Sequence, residues 1–145
     1  MNLADIAPGL HAIWDDNPSA ETRENLVERI DAFHHRTFPS EFERFTLLLQ
    51  DNAASLRGGV SGVIYCDWLR VDGLWVDDAL RHRGIGTRLM TRAENHAIAL
   101  GCHSAWLTTF QARRFYEAVG YEVFGTLDNF RAAQQQHFLR KWLIP

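Results

Sequence analysis

The stretch Arg81-His82-Arg83-Gly84-Ile85-Gly86 has the residue types and spacing to hold an anion. It follows an apolar run, Leu74-Trp75-Val76, and a short acidic turn, and it leads into an amphipathic segment whose helix begins inside the loop. The first N–H groups of a helix have no partner within it and carry a partial positive charge. Glycines let a ligand approach the backbone closely. The loop therefore predicts a cradle for phosphate or pyrophosphate, formed by N–H groups from Arg81 to Thr87, with Arg81 and Arg83 adding charge-assisted contacts. Two familiar phosphate loops fail on named residues. A P-loop needs a lysine and a hydroxyl after its glycines, and none follows in that frame. A dinucleotide GxGxxG needs a third glycine where this chain has Leu89.

A second cluster, Phe115-Tyr116-Glu117-Ala118-Val119-Gly120-Tyr121, reads from physics alone as a short amphipathic helix with core aromatics, closed by a glycine. Taken in order, an Arg-x-x-Gly-x-Gly loop after a strand ending in valine and this FYxxxGY segment resemble the GCN5-related N-acetyltransferase (GNAT) superfamily. There, a [Q/R]xxGx[G/A] loop holds acetyl-coenzyme A. The resemblance runs from about residue 20 to 143 and is strongest between 69 and 125. Gly58-Gly59, Val71 to Val76, Gln111-Ala112 and Phe138 to Lys141 look like a group of small bacterial-type acetyltransferases of unassigned substrate.

The resemblance implies acetyl transfer from acetyl-CoA to an amine of a small molecule or peptide, by direct attack in a ternary complex. It implies coenzyme contacts from Leu74, Trp75 and Val76, whose backbone suits the pantetheine amides as an added strand would, and from Arg81, His82, Arg83, Gly84, Ile85, Gly86 and Thr87. Thr109 stands where many members carry an asparagine on the pantetheine arm; Gln111 is a nearby amide, and Phe115 belongs to the same site. Arg113 or Arg114 either reaches the remaining phosphate or forms a solvated helix face. Tyr116 is the family's position for the acid that protonates the leaving thiolate; the alternative is that it orients the coenzyme or packs. Asp72, on the strand leading into the loop, is the candidate general base, with a surface carboxylate as the alternative. Alternation puts it on the side of Leu74 and Val76 unless a bulge near Gly73 intervenes. His34, His35 and Glu41 are weaker candidates. A catalytically silent coenzyme A-binding sensor or partner module on the same fold is the rival function.

These residues need elements to position them. Helical spacing of Leu26, Ile30 and Phe33 predicts a helix after Asn17-Pro18-Ser19. Strands are predicted over Phe42–Leu49, Val60–Tyr65 and Leu69–Val76, with a bend or bulge at Arg57-Gly58-Gly59. A helix with stripe Ile85, Leu89, Ala93, Ala97 and Leu100 follows, then a strand at Ser104–Thr108, the aromatic helix, and strands at Tyr121–Leu127 and His137–Leu143. The order predicts an α/β (α+β) fold. By resemblance it is a mixed, mostly antiparallel GNAT-like sheet, splayed between its fourth and fifth strands, with helices on both faces. No recognisable first strand precedes Asn17.

Composition narrows the partners. The 145 residues read as a single N-acetyltransferase domain whose first 18 are weakly patterned. The net charge of −3 offers no field for nucleic acid. Met1 to Asp5 lack the features of a secretory signal, and no apolar run approaches the about 20 residues of a membrane span. The expectation is a cytoplasmic protein with no membrane partner. Cys66 and Cys102 are expected to be reduced, buried thiols. Glu94 and His96 diverge on their helix, so no metal site is predicted. Trp68, Trp75, Trp106 and Phe110 are candidates to line the acceptor cleft, and apolar residues on the last strands suit a homodimer contact.

Overall fold

A computed structural model describes residues 6–37 and 42–144. The chain divides into two compact units, Met1–Pro39 and Ser40–Pro145. In the first unit, Ser19 starts helix α1 (Ala20–Thr37): its Oγ accepts the Thr22 N–H at 3.0 Å.

The second unit holds β1 (Glu43–Gln50), β2 (Leu56–Tyr65), β3 (Trp68–Val76), α2 (Ile85–Ala99), β4 (Ser104–Thr109), α3 (Arg113–Ala118), β5 (Glu122–Leu127) and β6 (Gln136–Trp142). The sheet order is β1-β2-β3-β4-β6-β5. Only β3 and β4 are parallel; the other pairings are antiparallel. The fold is the mixed, mostly antiparallel α/β sheet that the element order predicts. The parallel pairing covers only Trp68–Val71 against Ser104–Leu107, after which the strands part. This is the expected splay. No named strand precedes α1 among the described residues, so the parting strands are the third and fourth here.

One buried layer explains the placement of α2 and α3. Leu69, Val71, Ala105, Leu107 and Leu139 form the apolar face of the sheet, and Leu89, Met90, Ala93, Ala97 and Tyr116 pack on it. Each fully buried Leu, Val or Met side chain of this layer contributes about 1.5–3 kcal/mol, the alanines less. The α2 stripe ends at Ala97, because Leu100 lies beyond the helix and is half exposed. Gly101, with φ of +92°, closes the helix, and the Cys102 N–H reaches back to the Ala97 carbonyl at 2.9 Å.

One local expectation is borne out and one is corrected. The expected bulge falls at Arg57, the extra residue of β2 where the pairing shifts from Leu49–Gly58 to Gln50–Leu56, and Gly58 and Gly59 continue the strand. A side chain on Gly58 would stand 2.9 Å from the Trp75 carbonyl oxygen, so the glycine serves close strand approach. Cys102 is buried, but Cys66 is exposed. Cys66 and Asp67 form the two-residue turn between β2 and β3, both with positive φ (49° and 63°), and a tight turn of this kind lies at the surface.

Candidate active site

The glycine loop is held from both sides. Arg57 on β2 donates to the Asp77 carboxylate at 2.7 Å, and the other oxygen of Asp77 accepts the Ala79 N–H, starting a short 3-10 turn at Asp78–Leu80. Arg81 Nε donates to the Val76 carbonyl at 3.0 Å and its guanidinium also meets Asp78. Arg88 reaches back to the Arg83 carbonyl at 3.2 Å. Within this frame His82 and Gly84 take positive φ (61° and 73°), on either side of Arg83. Such alternation turns successive N–H groups toward one concavity that suits an anion. Gly84 caps α2 without a side-chain hydrogen bond, so the first N–H groups of the helix stay available. A Cβ on Gly84 would meet no atom within 4 Å, which marks that side of the loop as open.

A cleft of about 590 Å³ lies between the end of β3, this loop, the first turn of α2 and the start of α3. Leu74, Trp75, Val76, Arg81, His82, Gly84, Ile85, Gly86, Thr87, Gln111 and Phe115 line it. Arg83, Thr109 and Arg113 do not. The Thr109 hydroxyl accepts the Ala112 N–H at 3.1 Å and so serves the start of α3. Arg113 pairs with Glu117 at 2.8 Å one helical turn on, which is the helix-face alternative. Leu80 and Ala112 also line the cleft; the sequence singles out Ala112 only through the Gln111-Ala112 resemblance, not as a site residue, and does not single out Leu80. Both are small or apolar residues whose types carry no polar signal; only their position beside motif residues points to them.

Tyr116 is buried beside this region, with its ring between Phe115 and Tyr121 at centroid distances of 5.0 and 5.9 Å. Its hydroxyl has no hydrogen-bond partner among the described residues. Burial pushes its phenol up, which keeps it a proton-bearing donor at neutral pH.

Asp72 takes a different face from the one simple alternation gives. Gly73 pairs with Ser61 and Val71 with Gly62, so Asp72 is an extra residue in β3. This bulge keeps Val71, Leu74 and Val76 together against the core. It turns Asp72 to Arg70, whose Nε donates to the carboxylate at 2.6 Å; that hydrogen bond raises the guanidinium's own pKa. Asp72 does not line the cleft, but it is the first β3 residue beyond the pairing with β4.

Of the aromatics, Trp75 lines the cleft. Trp68 and Trp106 line a separate pocket of about 340 Å³ with Tyr65, Cys66, Phe124 and Arg140, and Phe110 packs edge-on to Phe130. His34 and His35 lie on α1 in the first unit, and Glu41 falls outside the described residues. Among the described residues no three His, Cys, Asp or Glu side chains cluster to hold a metal ion, and no helix is long and apolar enough to cross a membrane.

The model of the family described as Acetyltransferase (GNAT) family matches residues 8–121. The chain belongs to this family. A relative of the GNAT chain, blasticidin-S acetyltransferase of Streptomyces morookaense, is 40% identical over 91 residues, 61% of this chain and 67% of the relative. A crystal structure of a candidate acetyltransferase from Agrobacterium tumefaciens matches with a TM-score of 0.88 at 27% identity, covering 92% of this chain and 99% of that one. An aminoglycoside 6'-N-acetyltransferase complexed with coenzyme A shares the fold, with a TM-score of 0.64 at 20% identity over 91% of this chain and 85% of that one. The GNAT chain is thus an acetyltransferase by family, with its cleft at the splay of the sheet.

Proposed function

We propose that the protein moves an acetyl group from acetyl-CoA to an amine of a small molecule or peptide, by direct attack in a ternary complex. The observation that carries this reading is the cleft itself, in which an uncapped helix start, a loop of alternating backbone hand and the free edge of β3 face one volume. The N–H groups from His82 to Thr87 suit the pyrophosphate. The residues from Leu74 to Val76, unpaired on the β4 side, suit the pantetheine amides as an added strand would. Gln111 supplies the side-chain amide that Thr109 does not bring to the cleft.

In the reaction the amine nitrogen attacks the thioester carbonyl carbon, a C–N bond forms, and the C–S bond breaks. Tyr116 gives its phenolic proton to the departing sulfur, and the proton shed by the amine nitrogen restores the balance through solvent. An acceptor arriving as ammonium first gives up one proton, and Asp72, at the splay and paired with Arg70, is the carboxylate that takes it as general base and passes it to solvent, leaving the neutral amine to attack. The relative named for blasticidin S supports a small-molecule acceptor.

Isothermal titration with acetyl-CoA, followed by a thiol-release assay on an amine panel that includes blasticidin S and aminoglycosides, tests the reading. Saturable binding and release with at least one amine are expected. No binding at millimolar coenzyme would overturn it. Tight binding with no release on any amine would favour a coenzyme-binding module without transfer.

A further inference from the structure

Glu94 is a carboxylate on the core side of α2, 8% exposed, among Leu89, Met90, Ala93 and Ala97. A buried carboxylate is costly unless fully paired. Both of its oxygens are paired. The Tyr121 hydroxyl donates to Oε1 at 3.1 Å, and Lys141 Nζ on β6 donates to Oε2 at 2.8 Å. Lys141 reaches Glu94 by passing over Gly120, where a Cβ would stand 3.2 Å from Lys141 Cε, and its ammonium lies 5.6 Å from the centre of the Tyr121 ring.

The group meets Tyr116 through Tyr121. The Tyr121 N–H donates to the Tyr116 carbonyl at 3.0 Å, and the two rings stand edge-to-face at 71°. With no hydrogen bond of its own, the Tyr116 phenol is located by ring packing against Phe115 and Tyr121. Replacing a buried ion pair by apolar residues is often neutral or stabilising, so stability alone does not account for the pair. Directional bonds fix orientation, which a reacting group needs.

We propose that Glu94, Tyr121 and Lys141 are positioning residues that set where the Tyr116 phenol points. This rests on Tyr116 being the proton donor of the reading above. None of the three lines the coenzyme cleft.

Tyr121→Phe keeps the ring and removes only the oxygen that is anchored to Glu94. It is expected to lower kcat by up to about a hundredfold, the cost of a misplacement of about 1 Å, while the KM for acetyl-CoA and the folded state are retained. Glu94→Gln is expected to act in the same direction. If it does not fold, Tyr121→Phe carries the test. Tyr116→Phe is measured alongside, and the double variant Tyr116→Phe with Tyr121→Phe should be no slower than Tyr116→Phe alone, because a residue acting through Tyr116 has nothing left to position. Wild-type kcat in folded Tyr121→Phe, or additive losses in the double variant, would overturn the positioning role while leaving the donor intact. Wild-type kcat in Tyr116→Phe would instead overturn the donor reading, and the positioning role with it.

Discussion

Gly86 and Phe115 are in contact: a Cβ built on Gly86 stands 3.3 Å from Phe115 Cζ and 3.4 Å from Cε2. Gly86 closes the anion loop and Phe115 opens the aromatic motif, so the two motifs meet at a loop glycine where even a Cβ would be tight. The loop's other glycine, Gly84, faces open space. One glycine serves packing and the other serves backbone conformation, and their substitutions should separate accordingly.

Gly86→Val should cost about 1–3 kcal/mol, the range for overpacking a close contact, because the ring of Phe115 and Leu74 behind it must both move. Since Leu74, Gly86 and Phe115 all line the cleft, acetyl-CoA affinity should fall along with the melting temperature. Gly86→Ala needs a shift of only a few tenths of an ångström and should cost less. Thermal melts and coenzyme titration on both variants check this. An unchanged affinity in a destabilised Gly86→Val would mean that the contact is structural only.

At Gly84 the φ of +73° is the constraint, not space. Gly84→Ala should lower stability by about 1–2 kcal/mol, the cost of the left-handed region for a residue with a Cβ. Gly84→Trp should remain folded, because its indole projects into the open side, and should lose acetyl-CoA binding in a calorimetric titration. Retained binding would place the pyrophosphate elsewhere.

Legibility of this fold in the sequence varies with the kind of signal. The loop and FYxxxGY segment are legible because backbone conformation dictates Gly84 and Gly120, close contact with Phe115 dictates Gly86, and the amphipathic stripe dictates the spacing. The α2 stripe through Leu89, Ala93 and Ala97 is legible by period, and expected strand ends lie within a residue or so of those observed, apart from the start of β2. The face of Asp72 is not fixed by alternation, because one extra residue in β3 reverses it and a bulge leaves no type signature beyond a nearby glycine. In the sequence Glu94 reads only as a failed metal ligand. Its role depends on Tyr121 and Lys141, which are distant in sequence and meet it only through the crossing of α2, the end of α3 and β6. Thr109 carries the right chemistry, but its oxygen is engaged by the Ala112 N–H, a local bond that competes with any ligand.

Asp72→Asn should separate acceptor from coenzyme. The Arg70–Asp72 pair is partly exposed, with side chains 35% and 39% accessible, so its loss should cost no more than about 1 kcal/mol. Acetyl-CoA affinity should hold, since Asp72 does not line the cleft. The loss should fall on kcat/KM for the amine, by about tenfold for one charge-assisted contact of about 1.5 kcal/mol. Steady-state kinetics at saturating coenzyme measure it. A loss confined to coenzyme affinity would remove Asp72 from the acceptor side.

Alkaline stability should report the buried phenols. Burial raises both Tyr116 and Tyr121 above the ordinary tyrosine value of 10, and for Tyr121 the charge and hydrogen bond of Glu94 add to the rise. Because the folded state keeps protons that the unfolded state releases, their contribution is fully present below pH 10 and is lost as pH rises from there through the folded values. Each phenol adds a slope of up to about 1.4 kcal/mol per pH unit. Denaturant melts between pH 8 and roughly 11 should therefore show stability falling above pH 10, and less steeply in Tyr121→Phe than in the wild type. Parallel slopes for the two proteins would mean that Tyr121 ionises as freely in the folded chain as in the unfolded one, which its bond to Glu94 forbids.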